Sequence, residues 1–241
     1  MGSSRFPGKP LRDILGRPMI EWVLRGVSGN SNLNADIMVA TCDQEIVNFT
    51  TSIGFHAILT AKSHERASDR CAEALLKLEE MKGNKYDIVV MVQGDEPMVN
   101  AEMVLEAVQP MLYDDSILVT NLLGVIESVT EFEDRNCIKV VCDVNNDAIY
   151  FSREPIPTKS KQSNVPMRKQ VCVIPFRRDY LIQYTQMQPT PLEIIESIDM
   201  LRIIENGQKV RMVPTNHKSF SVDTPDDLIR VEKMMAEIAG N

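Results

Sequence analysis

The chain has 241 residues, of which 44% are hydrophobic and 25% charged, and 26 Lys and Arg against 34 Asp and Glu give a net charge of −8. This balance predicts one globular domain and excludes a disordered chain. Because it lacks a Lys or Arg block and any apolar run near the roughly 20 residues of a membrane-spanning helix, we expect a cytoplasmic protein that binds neither nucleic acid nor membrane.

The first half of the chain alternates between strand-like and helix-like apolar spacing. Two short runs, residues 37–40 and 58–60, predict strands. A helix is predicted over residues 68–82, with Ser68 as its N-cap. Its expected core face consists of Cys71, Ala74, Leu75, Leu78 and Met81. The apolar run 87–92 then has the length and composition of a strand that is buried on both faces.

The middle of the chain begins with a predicted helix over residues 101–112 and a strand over 117–122. The apolar positions of that helix are Val104, Val108 and Met111. From residue 138 the spacing of the apolar residues changes. Strand-like runs surround a polar stretch, 158–169, that we interpret as a mobile loop. These runs are residues 138–142, 148–152 and 171–176. We interpret approximately residues 138–190 as an insertion within a single domain spanning residues 1–241.

The end of the chain has a predicted strand over residues 210–213 and the clearest helix start. Thr224 is a good N-cap, Pro225 suits the first helical position, and the two aspartates that follow suit the positive end of the helix dipole. The expected core face of this helix is Leu228, Val231, Met235 and Ile238. Alternating strands and helices along the whole chain are typical of an α/β layer fold.

The cysteines are odd in number and show no C-x-x-C spacing. They are Cys42, Cys71, Cys137, Cys142 and Cys172. This pattern predicts neither a disulfide framework nor a zinc site, and buried free thiols are expected.

A glycine-rich basic stretch at the start of the chain could bind phosphate. Residues 2–11 contain two glycines, two serines and two cations, which can present backbone N–H groups and positive charge to phosphates. The stretch is not a Walker A motif, because Pro10 follows Lys9 where that motif has Ser or Thr. The alternative interpretation is a solvated terminus.

Two acidic positions are candidates for binding a cation. Asp95 lies just after the predicted strand 87–92, and in open α/β sheets ligands bind beyond the carboxyl ends of strands. Asp223 directly precedes the cap of the last helix. If the two carboxylates lie close together, they could hold one Mg²⁺, which prefers one or two carboxylates plus substrate phosphates. The alternative for each is ordinary turn chemistry.

Eight sequence blocks, in order, resemble the 3-deoxy-manno-octulosonate cytidylyltransferases. The blocks are S-S-R-F-P-G-K-P-L, P-M-I, V-Q-G-D-E-P-M, Y-F-S-R-x-x-I-P, Q-P-T-P-L-E, E-S-x-x-x-L-R, E-N-G and V-D-T-P-D-D-L. The resemblance covers almost the whole chain. It implies a Rossmann-like nucleotide-diphospho-sugar transferase fold with a mostly parallel sheet, an inserted β-rich dimerisation or lid region, and a homodimer.

The resemblance also implies an activity. A cytidylyl group would pass from CTP to the anomeric hydroxyl of a 2-keto-3-deoxy sugar acid, releasing pyrophosphate, with Mg²⁺ as cofactor, for surface polysaccharide or lipopolysaccharide synthesis. Two alternatives stay open. The protein could be a related sugar nucleotidyltransferase with another acid or nucleoside triphosphate, or a nucleotide-binding protein without activity.

Site residues are carried over by position from the same resemblance. Asp95 and Asp223 would be metal ligands, and Arg5 and Lys9 would clamp the triphosphate; all four are catalytic candidates. The other nucleotide-binding candidates are Ser3, Ser4, Gly8, Ser68, Arg70, Gln93 and Gly94. The sugar-binding candidates are Arg153, Gln170 and Glu196. The segment 64–70 matches the family's H-x-S-G-T-E-R only partly, and its alternative is a helix start with Arg70 in solvent.

The chain departs from the family pattern in two places. Gln170, Ile174 and Met200 replace a His, a Tyr and a Gln, so we expect a changed sugar specificity. The family also has a buried strand before the phosphate loop, whereas this sequence starts at Met1. We therefore expect the true start to lie upstream, since a sheet without that strand would expose a neighbouring strand edge.

Overall fold

The computed structural model describes residues 6–30, 32–158 and 166–239. The chain divides into two compact units. The first comprises Met1–Lys85, Val92–Leu105 and Lys218–Asn241, and the second comprises Tyr86–Met91 and Glu106–His217. The predicted insertion at about 138–190 lies within the second unit, and its description as part of a single domain stays a prediction.

Helices and strands alternate through the described residues, which confirms the α/β class. In chain order the elements are β1 (Asp13–Ile14), β2 (Arg17–Pro18), α1 (Met19–Ser28), β3 (Met38–Thr41), α2 (Gln44–Ser52), β4 (His56–Leu59), α3 (Ala67–Lys82), β5 (Ile88–Val92), α4 (Ala101–Tyr113), β6 (Thr120–Val125), α5 (Val129–Glu133), β7 (Lys139–Cys142), β8 (Ala148–Ser152), β9 (Arg168–Val171), β10 (Val173–Arg177), α6 (Arg178–Thr185), α7 (Pro191–Glu196), α8 (Met200–Glu205), β11 (Arg211–Pro214) and α9 (Pro225–Ala239). Among the described residues, none of these helices combines the length and apolar character that membrane crossing requires.

The first unit is built on a β-α-β crossover and two apolar clusters. Strands β3 and β4 pair in parallel, with α2 as their connection. Ile20 and Leu24 of α1 pack with Val39 and Ile46 in one cluster. The second cluster joins the N-terminal loop to the last helix, and its buried members are Phe6, Ile14, Met19, Val222 and Val231. The apolar residues therefore hold the loop at residues 6–11 beside the start of α9.

The second unit contains a mixed five-stranded sheet in the order β11-β6-β9-β7-β8. Strands β11 and β6 are parallel, whereas β6 with β9, β9 with β7, and β7 with β8 are antiparallel. Strand β10 pairs with β5 in a separate two-stranded sheet. The antiparallel pairs arise where the sequence predicted the inserted β-rich region, so the sheets of the described residues are mixed.

Several predicted details of these elements are wrong. Met81 and Ile238 are 74% and 59% exposed, because each lies in the last turn of its helix, beyond the end of the core. Ser68 is not the N-cap of α3, since the helix begins at Ala67 and Ser68 lies buried in its first turn. The end of the predicted polar loop is strand, because Arg168–Val171 forms a backbone ladder with β6. Residues 159–165 of that loop lie outside the described residues.

The cysteines are free, as predicted, but each is only partly buried. Burial raises the pKa of the Cys71 thiol to about 11 and that of Cys137 to about 12. Both thiols are therefore protonated at neutral pH, which makes them poor nucleophiles and poor metal ligands.

Gly26 in α1 marks a close approach to the backbone at Val99. A Cβ atom at Gly26 would lie 2.1 Å from the carbonyl oxygen of Val99. Alanine favours a helix over glycine by about 1 kcal/mol, yet we expect Gly26→Ala to destabilise the protein by about 1–3 kcal/mol through overpacking. Urea unfolding measures the change. Gly29→Ala is the control, because its Cβ would meet atoms no closer than 3.4 Å; equal stability of Gly26→Ala and the parent would contradict the prediction.

Candidate active site

A tight turn after β5 places Asp95. The Glu96 amide donates to the Gln93 carbonyl at 3.3 Å. The Val222 amide donates to the Asp95 carbonyl at 2.9 Å, and the Ser219 hydroxyl donates to the buried carboxylate of Glu96. Two hydrogen bonds therefore fix the turn against the segment that leads into α9.

Asp223 is placed by the cap of α9. The Asp227 carboxylate accepts from the backbone amides of Asp223 at 3.1 Å and Thr224 at 2.8 Å. The Asp227 amide donates in return to the Thr224 hydroxyl at 3.2 Å. This reciprocal arrangement is a capping box with Asp in place of Glu or Gln, and it confirms Thr224 as the N-cap. The positive end of the helix dipole favours a carboxylate at this place.

Lys9 joins the two carboxylates. Gly8 has a φ of 72°, a left-handed conformation that glycine adopts at little cost, and it starts the 3₁₀ turn Lys9–Leu11. The Lys9 Nζ atom lies 2.6 Å from Asp95 Oδ2 and 3.6 Å from Asp223 Oδ1. The structure therefore brings together three of the four catalytic candidates, with one cation between two anions.

The unpaired oxygen of Asp95 is the unusual atom of this group. Asp95 Oδ1 is buried and has no hydrogen-bond partner among the described residues, an arrangement that costs free energy unless a ligand compensates. No group of three or more His, Cys, Asp or Glu side chains suited to a metal occurs in the described ranges. Two carboxylates fit Mg²⁺, which is typically held by one or two protein carboxylates together with substrate phosphates and water.

Of the other nucleotide-binding candidates, Gly8 directly precedes Lys9, and Gln93 and Gly94 directly precede Asp95. Gly94 belongs to the turn after β5, and a Cβ atom there would lie 3.3 Å from the Ile20 side chain. The candidates Ser3, Ser4 and Arg5 lie outside the described residues. Met1 also lies outside them, so the expected upstream start stays a prediction.

Arg70 is held by the loop before α3. Its guanidinium donates to the Thr60 hydroxyl at 2.5 Å and to the carbonyls of Ala61 and His64 at 3.3 Å. His64 bonds to Glu73, whose pKa falls to about 2 because Lys77, the Ala61 amide and His64 donate to its carboxylate. His64 therefore has a structural role, and Arg70 binds the loop rather than standing free in solvent.

In the second unit, Glu196 and Arg153 lie together. The Glu196 carboxylate accepts from the Ser152 hydroxyl and the Arg153 amide, each at 2.8 Å, and from the Tyr150 hydroxyl at 3.3 Å. Burial and the charge of Glu196 raise the pKa of Tyr150, so this phenol stays a donor. The Arg153 guanidinium donates to the carbonyls of Glu196 at 2.6 Å, Arg135 at 3.0 Å and Ser197 at 3.2 Å.

The sequence over most of the chain is that of a known protein family. The profile described as cytidylyltransferase matches residues 1–210. The chain belongs to the cytidylyltransferase family. It is therefore a nucleotidyltransferase, as the sequence blocks predicted.

Named family members match over nearly the full length. The 3-deoxy-manno-octulosonate cytidylyltransferase of Fusobacterium nucleatum is 37% identical over 235 residues, or 98% of this chain and 93% of that protein. That of Geobacter metallireducens is 36% identical over 245 residues, or 97% and 94%. A structure of CMP:2-keto-3-deoxy-manno-octonic acid synthetase complexed with CTP has a TM-score of 0.85 at 35% identity, covering 98% and 95%. The nucleotide-sugar transferase fold is thereby confirmed.

The three sugar-side departures from the family pattern, Gln170, Ile174 and Met200, lie inside the second unit. The Gln170 amide donates to Asn121 Oδ1 at 2.6 Å, while Ile174 and Met200 are buried. Among the described residues, no hydrogen bond joins the Gln170 side chain directly to Arg153 or Glu196. Sequence reasoning missed Asn121, a buried amide in a run of apolar strand residues that also donates to the Val171 carbonyl at 2.6 Å.

Proposed function

We propose that this protein transfers a cytidylyl group from CTP to the anomeric hydroxyl of a 2-keto-3-deoxy sugar acid, giving a CMP-sugar and pyrophosphate for surface polysaccharide or lipopolysaccharide synthesis. The observation that carries the proposal is the Lys9 ammonium between Asp95 and Asp223, in a chain of the cytidylyltransferase family. The activity for which its relatives are named supports this sugar acid, and the CTP complex of the similar structure supports this nucleotide.

The nucleotide and a divalent cation are assigned to the first unit. Asp95 and Asp223 would hold Mg²⁺, because one buried oxygen of Asp95 lacks any partner within the described ranges. When bound, the ion supplies charge neutralisation at the phosphates and makes a bound hydroxyl easier to deprotonate. Lys9 would bind the triphosphate as a mobile point charge. Arg5 would assist it, with Ser3, Ser4, Gly8, Ser68, Arg70, Gln93 and Gly94 as the remaining nucleotide-binding candidates.

The sugar acid is assigned to the second unit. An arginine has five N–H donors, and among the described residues Arg153 uses three of them on backbone carbonyls. The remaining two suit a substrate carboxylate, for which a charge-assisted hydrogen bond is strong. Glu196 keeps Arg153 in place and offers an acceptor for a sugar hydroxyl. Gln170 stays a sugar-binding candidate, and its side chain is held by the hydrogen bond to Asn121.

The oligomeric state is a further part of the proposal. A homodimer is expected from the family resemblance. Three isoleucines of the second unit are exposed, Ile149 on β8 and the adjacent Ile194 and Ile195 on α7, and covering these side chains with a second copy of the chain would remove their apolar surface from water.

A pyrophosphate-release assay tests the proposal. CTP with Mg²⁺ is offered with 3-deoxy-manno-octulosonate, its 8-amino analogue and sialic acid, and each reaction is repeated with ATP, GTP and UTP. We expect release with CTP and one octulosonate. Release only with another acid or nucleotide would favour the related nucleotidyltransferase. CTP binding by calorimetry without release from any acid would instead favour a nucleotide-binding protein.

A further inference from the structure

Lys139 carries a buried charge that the proposed chemistry does not use. It is the first residue of β7 and has no exposed surface. Its ammonium donates to three backbone carbonyls, those of Asp134 at 2.7 Å, Cys137 at 2.6 Å and Arg153 at 2.5 Å. Each of the three N–H donors of the ammonium therefore has one neutral acceptor.

Burying the Lys139 ammonium costs free energy that an apolar side chain at the same place would not cost. Burial lowers the pKa of Lys139, because removing an ammonium from water costs several kcal/mol before any contact is regained. An apolar side chain of similar volume would fill the same place without that cost. The gain must therefore lie in the geometry that the three hydrogen bonds impose.

The geometry that Lys139 imposes is that of Arg153. In the antiparallel pairing of β7 with β8, Lys139 lies opposite Ser152, so its ammonium reaches the carbonyl of the next residue. The peptide of Arg153 is then held on both sides. Its carbonyl accepts from Lys139, and its amide donates to the Glu196 carboxylate at 2.8 Å.

The same ammonium fixes the loop that the Arg153 side chain uses. The Arg153 guanidinium donates to the carbonyl of Arg135 at 3.0 Å. Lys139 binds the carbonyls on either side of that position, at Asp134 and Cys137. One buried cation thus orders both the backbone of Arg153 and one anchor of its guanidinium.

We propose that Lys139 is a positioning residue for sugar-acid binding, which fixes Arg153 and the 134–137 loop without touching substrate. This inference rests on the proposed role of Arg153 in binding the sugar acid. A loosened Arg153 would lower affinity for the sugar acid, because an unfixed side chain loses more conformational entropy on binding. Nucleotide binding, which is assigned to residues of the first unit, would keep its affinity.

The test compares Lys139→Met with the parent in the full chain. We expect the KM for the sugar acid to rise at least about tenfold, while the KM for CTP stays within about twofold. Arg177→Met is the matched control, since Arg177 also donates to three carbonyls of this unit, at Met111 (2.5 Å), Asp114 (3.2 Å) and Ile117 (3.2 Å). It should lower thermal stability and leave both KM values within twofold.

A double-mutant cycle separates positioning from general destabilisation. If Lys139 acts through Arg153, adding Lys139→Met to Arg153→Ala should not raise the KM for the sugar acid beyond that of Arg153→Ala alone. Multiplying effects in the double variant, or equal rises of both KM values in Lys139→Met, would overturn the inference. Lys139→Gln replaces Lys139→Met in both comparisons if the latter does not fold.

The parent protein distinguishes the two levels of failure. No pyrophosphate release by the parent with any acid would remove the proposed function and this inference with it. Release by the parent, with an unchanged KM for the sugar acid in Lys139→Met or Lys139→Gln, would remove only the inference.

Discussion

Asp95→Asn is expected to abolish pyrophosphate release from CTP, lowering turnover by at least about a thousandfold, while the protein remains folded. Asparagine has nearly the same shape as aspartate but lacks the charge that a weakly held divalent ion needs. The buried Asp95 Oδ1 has no partner in the described part of the chain. Asparagine weakens the ion pair between Lys9 and Asp95 Oδ2, but Asp223 remains within 3.6 Å of the Lys9 ammonium and the uncompensated oxygen loses its charge, so the unfolding temperature should change little.

Two measurements separate loss of the ion from loss of structure. Turnover is measured beside Mn²⁺ binding, followed through the spin resonance of the free ion, and beside thermal unfolding. Asp223→Asn should behave like Asp95→Asn. Asp36→Asn is the matched control, because Asp36 also accepts from a lysine, Lys82, at 2.7 Å. Turnover within a fewfold of the parent would remove Asp95 from the metal site.

The candidate roles of Asp95 and Asp223 could be predicted from the sequence, but their common contact with Lys9 could not. Asp95 follows a buried strand and Asp223 precedes a helix cap, and both signals are local. Their common contact with Lys9 depends on three distant segments that meet through the cluster of Phe6, Val222 and neighbouring residues. Only the assembled fold fixes such a meeting, since apolar packing between distant segments leaves no local sequence pattern.

The role of Lys139 could not be predicted from the sequence either. In the sequence it is one lysine in the run C-I-K-V-V-C, and a lysine in an apolar strand is the only available signal of burial. Its three acceptors are two loop carbonyls and the carbonyl of Arg153, the residue that follows strand β8, so its role depends on register. The family resemblance, in turn, could not show which of the compared residues are buried. It compared residue types at Ile174 and Met200, but both side chains are buried, which residue identity alone does not reveal.

Lys9→Met is expected to separate metal binding from nucleotide binding. In the parent, the Lys9 ammonium lies 2.6 Å from Asp95 and 3.6 Å from Asp223, where it supplies the positive charge that a divalent ion would otherwise bring. Without it, two neighbouring carboxylates lose their shared counter-charge. We expect Mn²⁺ to bind the variant at least about tenfold more tightly in the absence of nucleotide, because the ion no longer competes with an internal cation.

Turnover of the same variant should change in the opposite direction. The triphosphate loses its proposed Lys9 contact, and removal of one preorganised donor aimed at the charge that develops in a transition state typically costs about 10²–10³ in rate. Added Mn²⁺ should raise the unfolding temperature more in Lys9→Met than in the parent, since at a given ion concentration a tighter ligand stabilises the folded state more. Lys82→Met, which removes the surface partner of Asp36, should change neither quantity. Mn²⁺ affinity that is unchanged or weaker in Lys9→Met would mean that the lysine does not stand in for the ion. A gain in metal affinity with a loss of turnover would instead assign to Lys9 two successive partners, the carboxylates before the ion binds and the phosphates afterwards.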